Sequence, residues 1–332
     1  MKSTLIQQKS LTKGLAGLSP LAASCLWGGM YVVGKASFSS IPPITLGLLR
    51  LLVGGAVLWV ALQVCSRLQG MSSMRRKLSS QEWRRLPLLG ACVAATIITQ
   101  FVGTNLATAH DGALLTTTTP IFILPLAWLL LHERPGWRVL AGMLVALAGI
   151  VLVVELQQGS SSSVISWGQA LLGDSLLIVS AVLWALFTVL GTPLVRGSSA
   201  LVVSTYATLW SLVFIAPFAL WEMVHYPLTL PTLPSLGSVL YLGIGATALA
   251  WFLWYKGVER LPASVAAVFF FAQPVVGGLL SALFLHERLG MSFWLGGFVL
   301  AVGIVLASFS PVSKPKHEDD ALRKPLLSRH IS

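Results

Sequence analysis

The sequence predicts an all-α membrane protein of ten transmembrane helices, arranged as two inverted five-helix repeats. Three observations carry that expectation. The composition is too apolar for water. The apolar residues fall into ten runs of spanning length. One half of the chain recurs in the other.

Of the 332 residues, 55% are hydrophobic and 10% are charged, with a mean hydropathy of +0.82. Soluble domains carry about 25% charged residues. Even large ones leave much of their surface in water. Lipid is therefore the expected solvent for most of this chain, and the bilayer is its first partner. The net charge of +11 would suit a nucleic-acid binder. The Lys and Arg residues, however, sit between the apolar runs and at the two ends, with no aromatic-basic platform. No nucleic-acid partner is expected. The three cysteines, Cys25, Cys65 and Cys92, lie in or beside apolar runs and read as apolar filler, not as disulfides or metal ligands.

A spanning helix needs about 20 apolar residues. Runs of that kind cover 17–36, 44–65, 86–106, 111–131, 137–155, 168–190, 199–221, 235–255, 262–285 and 292–309. The first is preceded by "MKSTLIQQKSLTKG", which reads as a retained cytoplasmic arm because no small-residue cleavage site follows. The longest connection, 66–85, is strongly basic, and 310–332 reads as a disordered cytoplasmic tail. Charge placement supports the count. With ten spans and both ends inside, the inner segments hold three Lys before the first run, six Lys or Arg in 66–85 and five in the tail. Arg134, Arg138, Arg196, Lys256 and Arg260 also fall inside, and the outer loops hold Arg288 alone. Cytoplasmic loops carry the excess of Lys and Arg.

The tetrad "LHER" occurs twice, at Leu131–Arg134 and Leu285–Arg288, each time directly after an apolar run. Aligning Pro120 with Pro274 superposes both tetrads, Gly142 with Gly296, and the two "GIVL" runs at Gly149–Leu152 and Gly303–Leu306. More weakly, "LWGGMYVVG" from Leu26 sets beside "LWALFTVLG" from Leu183. The expected units are residues 15–155 and 168–309. Each has five spans, an odd number, so the second enters the membrane from the opposite side. Inverted repeats are the recurring architecture of secondary transporters, whose two similar halves rock around a midplane site.

The same residues resemble the drug/metabolite transporter superfamily, EamA type. The likeness rests on "WGGMYVVGK", "PPITLGLLRLLVGGAVL" and "PIFILPLAWLLLHERPGWRVLAGMLVALAGIVLVV" in the first half. In the second it rests on "GDSLLIVSAVLWAL" and "LPASVAAVFFFAQPVVGGLLSALFLHERLGMSFWLGGFVLAVGIVLAS". It covers nearly the whole chain except the basic loop and the tail. It implies ten helices with both termini cytoplasmic, a cavity between two inverted halves, and transport of small metabolites such as amino acids, often export, across the cytoplasmic (cell) membrane. It does not fix a substrate, and a homodimer is allowed.

Candidate substrate-binding residues are Trp27, Tyr31, Arg50, Thr96, Gln100, Thr118, Thr119, Trp184 and Gln273. Trp27 and Trp184 fall near mid-span at equivalent repeat positions and could line a cavity for apolar or aromatic solutes. An intramembrane charge must snorkel, pair or line water, so Arg50 either snorkels outward or faces a cavity and attracts a carboxylate. Thr96 and Gln100 are one helical turn apart and share a face. Pro120 and Pro274 are expected to kink their helices, with the hydroxyls of Thr116–Thr119 and the amide of Gln273 either satisfying the freed backbone or meeting substrate. Glu133 and Glu287 read as interfacial charges that end their helices, or as contacts at the cavity mouth. Asp174 reads as the acidic start of its helix. Gly142, Gly149, Gly296 and Gly303, paired at a spacing of seven, read as close helix packing.

No cofactor or metal is expected, and no catalytic residue is legible: an enzyme would need a nucleophile, a metal cluster or a carboxylate dyad at depth. A Gly-rich nucleotide loop is likewise missing from the sequence. The function expected is therefore secondary transport by alternating access, with multidrug efflux and a non-transporting receptor as alternatives.

Overall fold

The computed structural model describes residues 17–69, 78–107, 109–154, 167–226, 232–285 and 290–308. These residues are almost wholly helical. The basic 70–77, the second His-Glu-Arg set at 286–288 and the 310–332 tail lie outside them.

The first apolar run is two helices, not one: α1 (17–28) and α2 (Met30–Ser37), joined at Gly29. The following runs are α3 (Pro43–Gln69), α4 (Ser80–Leu106), the pair α5 (Ala109–Thr116) and α6 (Thr119–Leu131), and α7 (Trp137–Val154). In the second half come α8 (Trp167–Gly197) and α9 (Ala200–His225). Then α10 (Leu233–Leu240) runs through a π-helical stretch at Tyr241–Leu249 into α11 (Ala250–Val258). Next α12 (Ala263–Val268) passes through a 3-10 turn at Phe269–Phe271 into α13 (Ala272–Leu285), and α14 (Met291–Ser308) closes the described chain. Among the described residues seven helices, several of them continuous across these joints, are long and apolar enough to cross a membrane. Two shorter apolar ones, Trp137–Val153 and Phe293–Ser308, stand beside them.

Local signals explain the starts. Ser79 and Glu82 form a reciprocal capping box at α4, Ser199 caps α9, and Thr232 with Ser235 caps α10. The sequence leads to the expectation that Pro120 and Pro274 kink continuous helices, and here the structure differs. The two prolines stand in the first turns of α6 and α13, after each run has already broken. Proline is tolerated at a helix start because its missing N–H has no partner there. The break before Pro120 is closed by hydroxyls: Thr116 Oγ1 donates to Gly112 O at 2.6 Å, Thr118 Oγ1 to Leu115 O at 2.5 Å and Thr119 Oγ1 to Thr116 O at 2.6 Å.

Helices α7 and α14 lie against each other at backbone contact. A methyl on Gly142 would come within 2.6 Å of Gly303 O, and one on Gly149 within 2.7 Å of Gly296 O. Gly142 faces Gly303 and Gly149 faces Gly296, so the two helices run antiparallel. Lipid gives no hydrophobic drive between helices, and small residues let backbones approach closely enough for dispersion to hold them.

Two carboxylates tie helix ends together. Glu133, after α6, accepts from Ala263 N at 3.1 Å, Ser264 N at 3.2 Å and Ser264 Oγ at 3.1 Å at the start of α12, and from Arg196 Nη2 at 3.0 Å. It is thus more than an interfacial helix stop. Glu222, near the end of α9, accepts from Ile44 N at 3.2 Å and from Thr45 N and Oγ1 at 2.6 and 2.8 Å at the start of α3. In both cases a negative charge meets the free amides and positive dipole end of a helix. Arg196 lies just before α9 begins, and Glu222 lies 22 residues along it from Ala200, about 33 Å at 1.5 Å per residue. The two ties therefore stand at opposite ends of the bundle.

Asp174 does not open its helix: α8 begins at Trp167, two turns earlier, and one Asp174 carboxylate oxygen is buried without a partner. Lys35, in the last turn of α2, is half-buried. Its Nζ donates to Thr104 O, Asn105 O and Ala107 O at 3.0, 2.8 and 2.7 Å, which caps the end of α4.

Candidate functional site

Between the two ties lies a small cavity of about 30 Å³, room for one or two waters. Its lining comes from both halves of the chain. Trp27, Met30, Tyr31, Arg50, Ile97, Gln100, Thr116 and Thr119 come from the first half. Ser180, Ala181, Trp184, Trp251, Phe270 and Gln273 come from the second.

Glycine sets the approach of α1 to α13. A methyl on Gly28 would come within 2.8 Å of Val276 Cβ and 3.0 Å of Gln273 O. The lack of a side chain there places Trp27 beside the Gln273 turn. The Trp27 ring meets Trp184 edge-on at 5.2 Å and Phe270 at 5.2 Å, and Trp184 lies 5.7 Å from Trp251. Such offset and edge contacts suit aromatic quadrupoles.

Arg50 is 1% exposed, which settles the choice left by the sequence: it does not snorkel. Its Nε donates to Thr247 Oγ1 at 2.9 Å, its Nη2 to Ala246 O at 3.2 Å and its Nη1 to Met30 Sδ at 3.1 Å. Its guanidinium also stands 5.3 Å from the centre of the Phe101 ring. The acceptors are presented by the π-helical turn. Thr247 Oγ1 donates five residues back to Leu242 O at 2.8 Å, and Ala246 O also accepts from Trp27 Nε1 at 2.9 Å. Widened turns of this kind recur at functional sites because they leave backbone groups free for other partners. No acidic side chain stands among the described lining residues. Guanidinium carries five N–H donors, and none of the three hydrogen bonds named goes to a carboxylate.

A second chain of polar groups runs from α4 to α5. Gln100 Nε2 donates to Tyr31 Oη at 2.8 Å, Tyr31 Oη to Thr116 Oγ1 at 2.5 Å, and Thr116 Oγ1 onward to Gly112 O. Its hydroxyl protons are spent internally, so it braces the wall. Two donors among the lining residues have no protein partner: Trp184 Nε1, in a side chain 8% exposed, and Gln273 Nε2, in one 2% exposed. An unmet buried donor costs about 1–3 kcal/mol.

The cavity gathers Trp27, Tyr31, Arg50, Gln100, Thr119, Trp184 and Gln273 from the residues singled out in the sequence. It does not include Thr96 or Thr118. The Thr96 hydroxyl bonds back to Cys92 O at 2.7 Å within α4, and Thr118 serves the broken turn. Thr116 was noted in the sequence with the hydroxyls before Pro120, whereas Met30, Ser180, Trp251 and Phe270 were not singled out. Trp251 falls one helical turn before Tyr255 on a buried face, which is how a core aromatic also reads. Glu222 was not singled out either; the available signal was the Pro42-Pro43 pair, which starts a helix whose first amides need an acceptor. Among the described residues no three His, Cys, Asp or Glu side chains gather into a set that could hold a metal ion.

The model of the EamA-like transporter family matches residues 14–155 and again 171–309. The chain is 30% identical over 314 residues to the uncharacterized transporter YetK of Bacillus subtilis (strain 168), covering 92% of each. It is 26% identical to an uncharacterized transporter of Archaeoglobus fulgidus, covering 85% of this chain and 93% of the relative. Among solved structures, one described as a crystal structure of a protein matches 88% of this chain and 95% of its own. The identity is 23% and the TM-score 0.70, a likeness of fold.

Proposed function

This chain belongs to the EamA-like transporter family, and from that premise we propose that it is a secondary transporter that exports a small organic metabolite across the cytoplasmic membrane by alternating access. In this reading the ten apolar runs are ten spans, both termini are cytoplasmic, and residues 15–155 and 168–309 are inverted halves. The α7–α14 seam supports the inversion. Under the repeat alignment Gly142 corresponds to Gly296 and Gly149 to Gly303, yet Gly142 touches Gly303 and Gly149 touches Gly296. That reciprocity is what a two-fold axis between the halves produces.

The observation that carries the reading is a cavity lined from both halves, with Arg50 buried in its wall and one carboxylate tie toward each end of the bundle. Glu133 joins α6 to α12 and Glu222 joins α9 to α3; with both termini cytoplasmic, as proposed, the first tie lies on the cytoplasmic side and the second on the outer side. At about 30 Å³ the cavity is too small for a metabolite. Substrate entry therefore requires the helices to part, and parting at one end releases one tie while the other holds. Each tie is a set of hydrogen bonds to a carboxylate worth about 1.5–3 kcal/mol apiece, a total comparable to the roughly 8 kcal/mol that micromolar substrate binding supplies.

The purified full chain in liposomes, screened with labelled amino acids and organic acids, tests this. Saturable flux of at least one solute, lost on Arg50→Leu, is the expected result. Binding without flux of any solute would replace the transporter with a receptor.

A further inference from the structure

We infer that the central cavity takes a small monocarboxylate, and prefers it over the amino acid or amine of the same shape. This rests on the cavity being the transport site proposed above, and it names the substrate class. The charge is the first argument. Arg50 is buried at 1% exposure and no Asp or Glu stands among the described lining residues. One cation facing no anion leaves the site short of one negative charge. The hydrogen-bond inventory is the second. Trp184 Nε1 and Gln273 Nε2 are buried donors without acceptors. Buried donors are nearly always met, so this pair calls for an acceptor brought from outside. A carboxylate offers two oxygens and about four acceptor sites, and it supplies the missing charge in the same group. Trp27, Trp184 and Phe270 stack around the space beside it and suit an apolar body. A free ammonium, by contrast, needs an acceptor or an anion; the Tyr31 and Thr116 hydroxyls spend their hydrogens within the Gln100–Tyr31–Thr116 chain, and no Asp or Glu stands among the described lining residues.

Binding of 3-phenylpropionate, L-phenylalanine and 2-phenylethylamine to the full chain in nanodiscs, followed by intrinsic tryptophan fluorescence, tests the inference. The acid is expected to bind about tenfold tighter than the zwitterion, and the amine not at all. Trp184→Phe keeps the ring and removes the N–H. It should weaken the acid about tenfold, the size of one lost bond to a charged group, and leave the thermal midpoint near that of the unaltered chain. Arg50→Gln should abolish binding. If that variant does not fold, Trp184→Phe and Gln273→Leu carry the test. Equal or tighter binding of the zwitterion or the amine would overturn the inference, as would unchanged acid binding in a folded Trp184→Phe. Flux separates the two levels. Transport of L-phenylalanine or 2-phenylethylamine without preference for the acid sinks the carboxylate site and leaves the transporter. Acid binding with no flux of any solute does the reverse.

Discussion

The α7–α14 seam and the central cavity both join the first half of the chain to the second, and they do it by opposite means. At the seam four glycines bring backbone against backbone, with Gly142 facing Gly303 and Gly149 facing Gly296. Nothing polar needs to be met, and there is one good packing distance. At the cavity the two halves meet through Arg50, Trp27 and the π-helical turn at Ala246 and Thr247, and two buried donors are left unmet. The difference teaches where the molecule is stable and where it is poised. Close-packed interfaces resist deformation because every small gap forfeits dispersion. A polar interface with unmet groups holds free energy that a ligand can recover.

The seam is the harder place to disturb. Gly296→Leu should be the most damaging single change, because its side chain would enter the Gly149 and Val153 backbone. Overpacking costs about 1–3 kcal/mol, and more where backbone is the obstacle. Loss of the monodisperse peak in size-exclusion chromatography checks it, and a folded, heat-stable Gly296→Leu would break the comparison.

Arg50→Leu should reverse the pattern. Transport is expected to fall about a hundredfold, the upper range for hydrogen bonds to a charged group, while the thermal midpoint falls less than in Gly296→Leu. Liposome flux and thermal unfolding of the same preparation check both halves of that statement.

Glu133→Gln and Glu222→Gln sharpen the contrast between the two ends. Each loses the charge on a helix N-terminus, worth about 0.3–1 kcal/mol. A cysteine placed at Ser180, in a chain lacking Cys25, Cys65 and Cys92, should label faster from the cytoplasmic face in the first variant and from the outer face in the second. Equal labelling from both faces in both variants would separate the ties from access. The smallest effect belongs to Thr96→Val. Its hydroxyl bonds its own helix at Cys92 O, so flux and stability should stay within about 0.5 kcal/mol of the unaltered chain.

The helices were legible because their signal is composition and length. The run read as 137–155 is α7 at Trp137–Val154, and the run read as 292–309 is α14 at Met291–Ser308. Joints inside runs were less legible. The break at Gly29 and the π-helical turn at Tyr241–Leu249 interrupt sequences that stay apolar throughout, and hydropathy does not register a change of hydrogen-bond period. The candidate site was half legible. Polar and aromatic residues at depth are rare enough to be noticed one by one, which brought in Arg50, Gln100 and Gln273. The same criterion also brought in Thr96 and Thr118, whose hydroxyls serve their own backbone, and it passed over Met30, which has nothing polar to mark it, and Phe270, the middle of three consecutive phenylalanines in an apolar run.

By itself the sequence determined the solvent, the helices and the recurrence of one half in the other, because each follows from apolar length and residue order along the chain. Only the tertiary structure decided that Arg50 is buried against Thr247, that Glu133 and Glu222 cap helices 130 and 177 residues away, and that Trp184 Nε1 and Gln273 Nε2 are buried without a partner. Those facts depend on which faces meet across the bundle. In a chain whose helices are apolar on nearly every side, periodicity does not say which face turns inward.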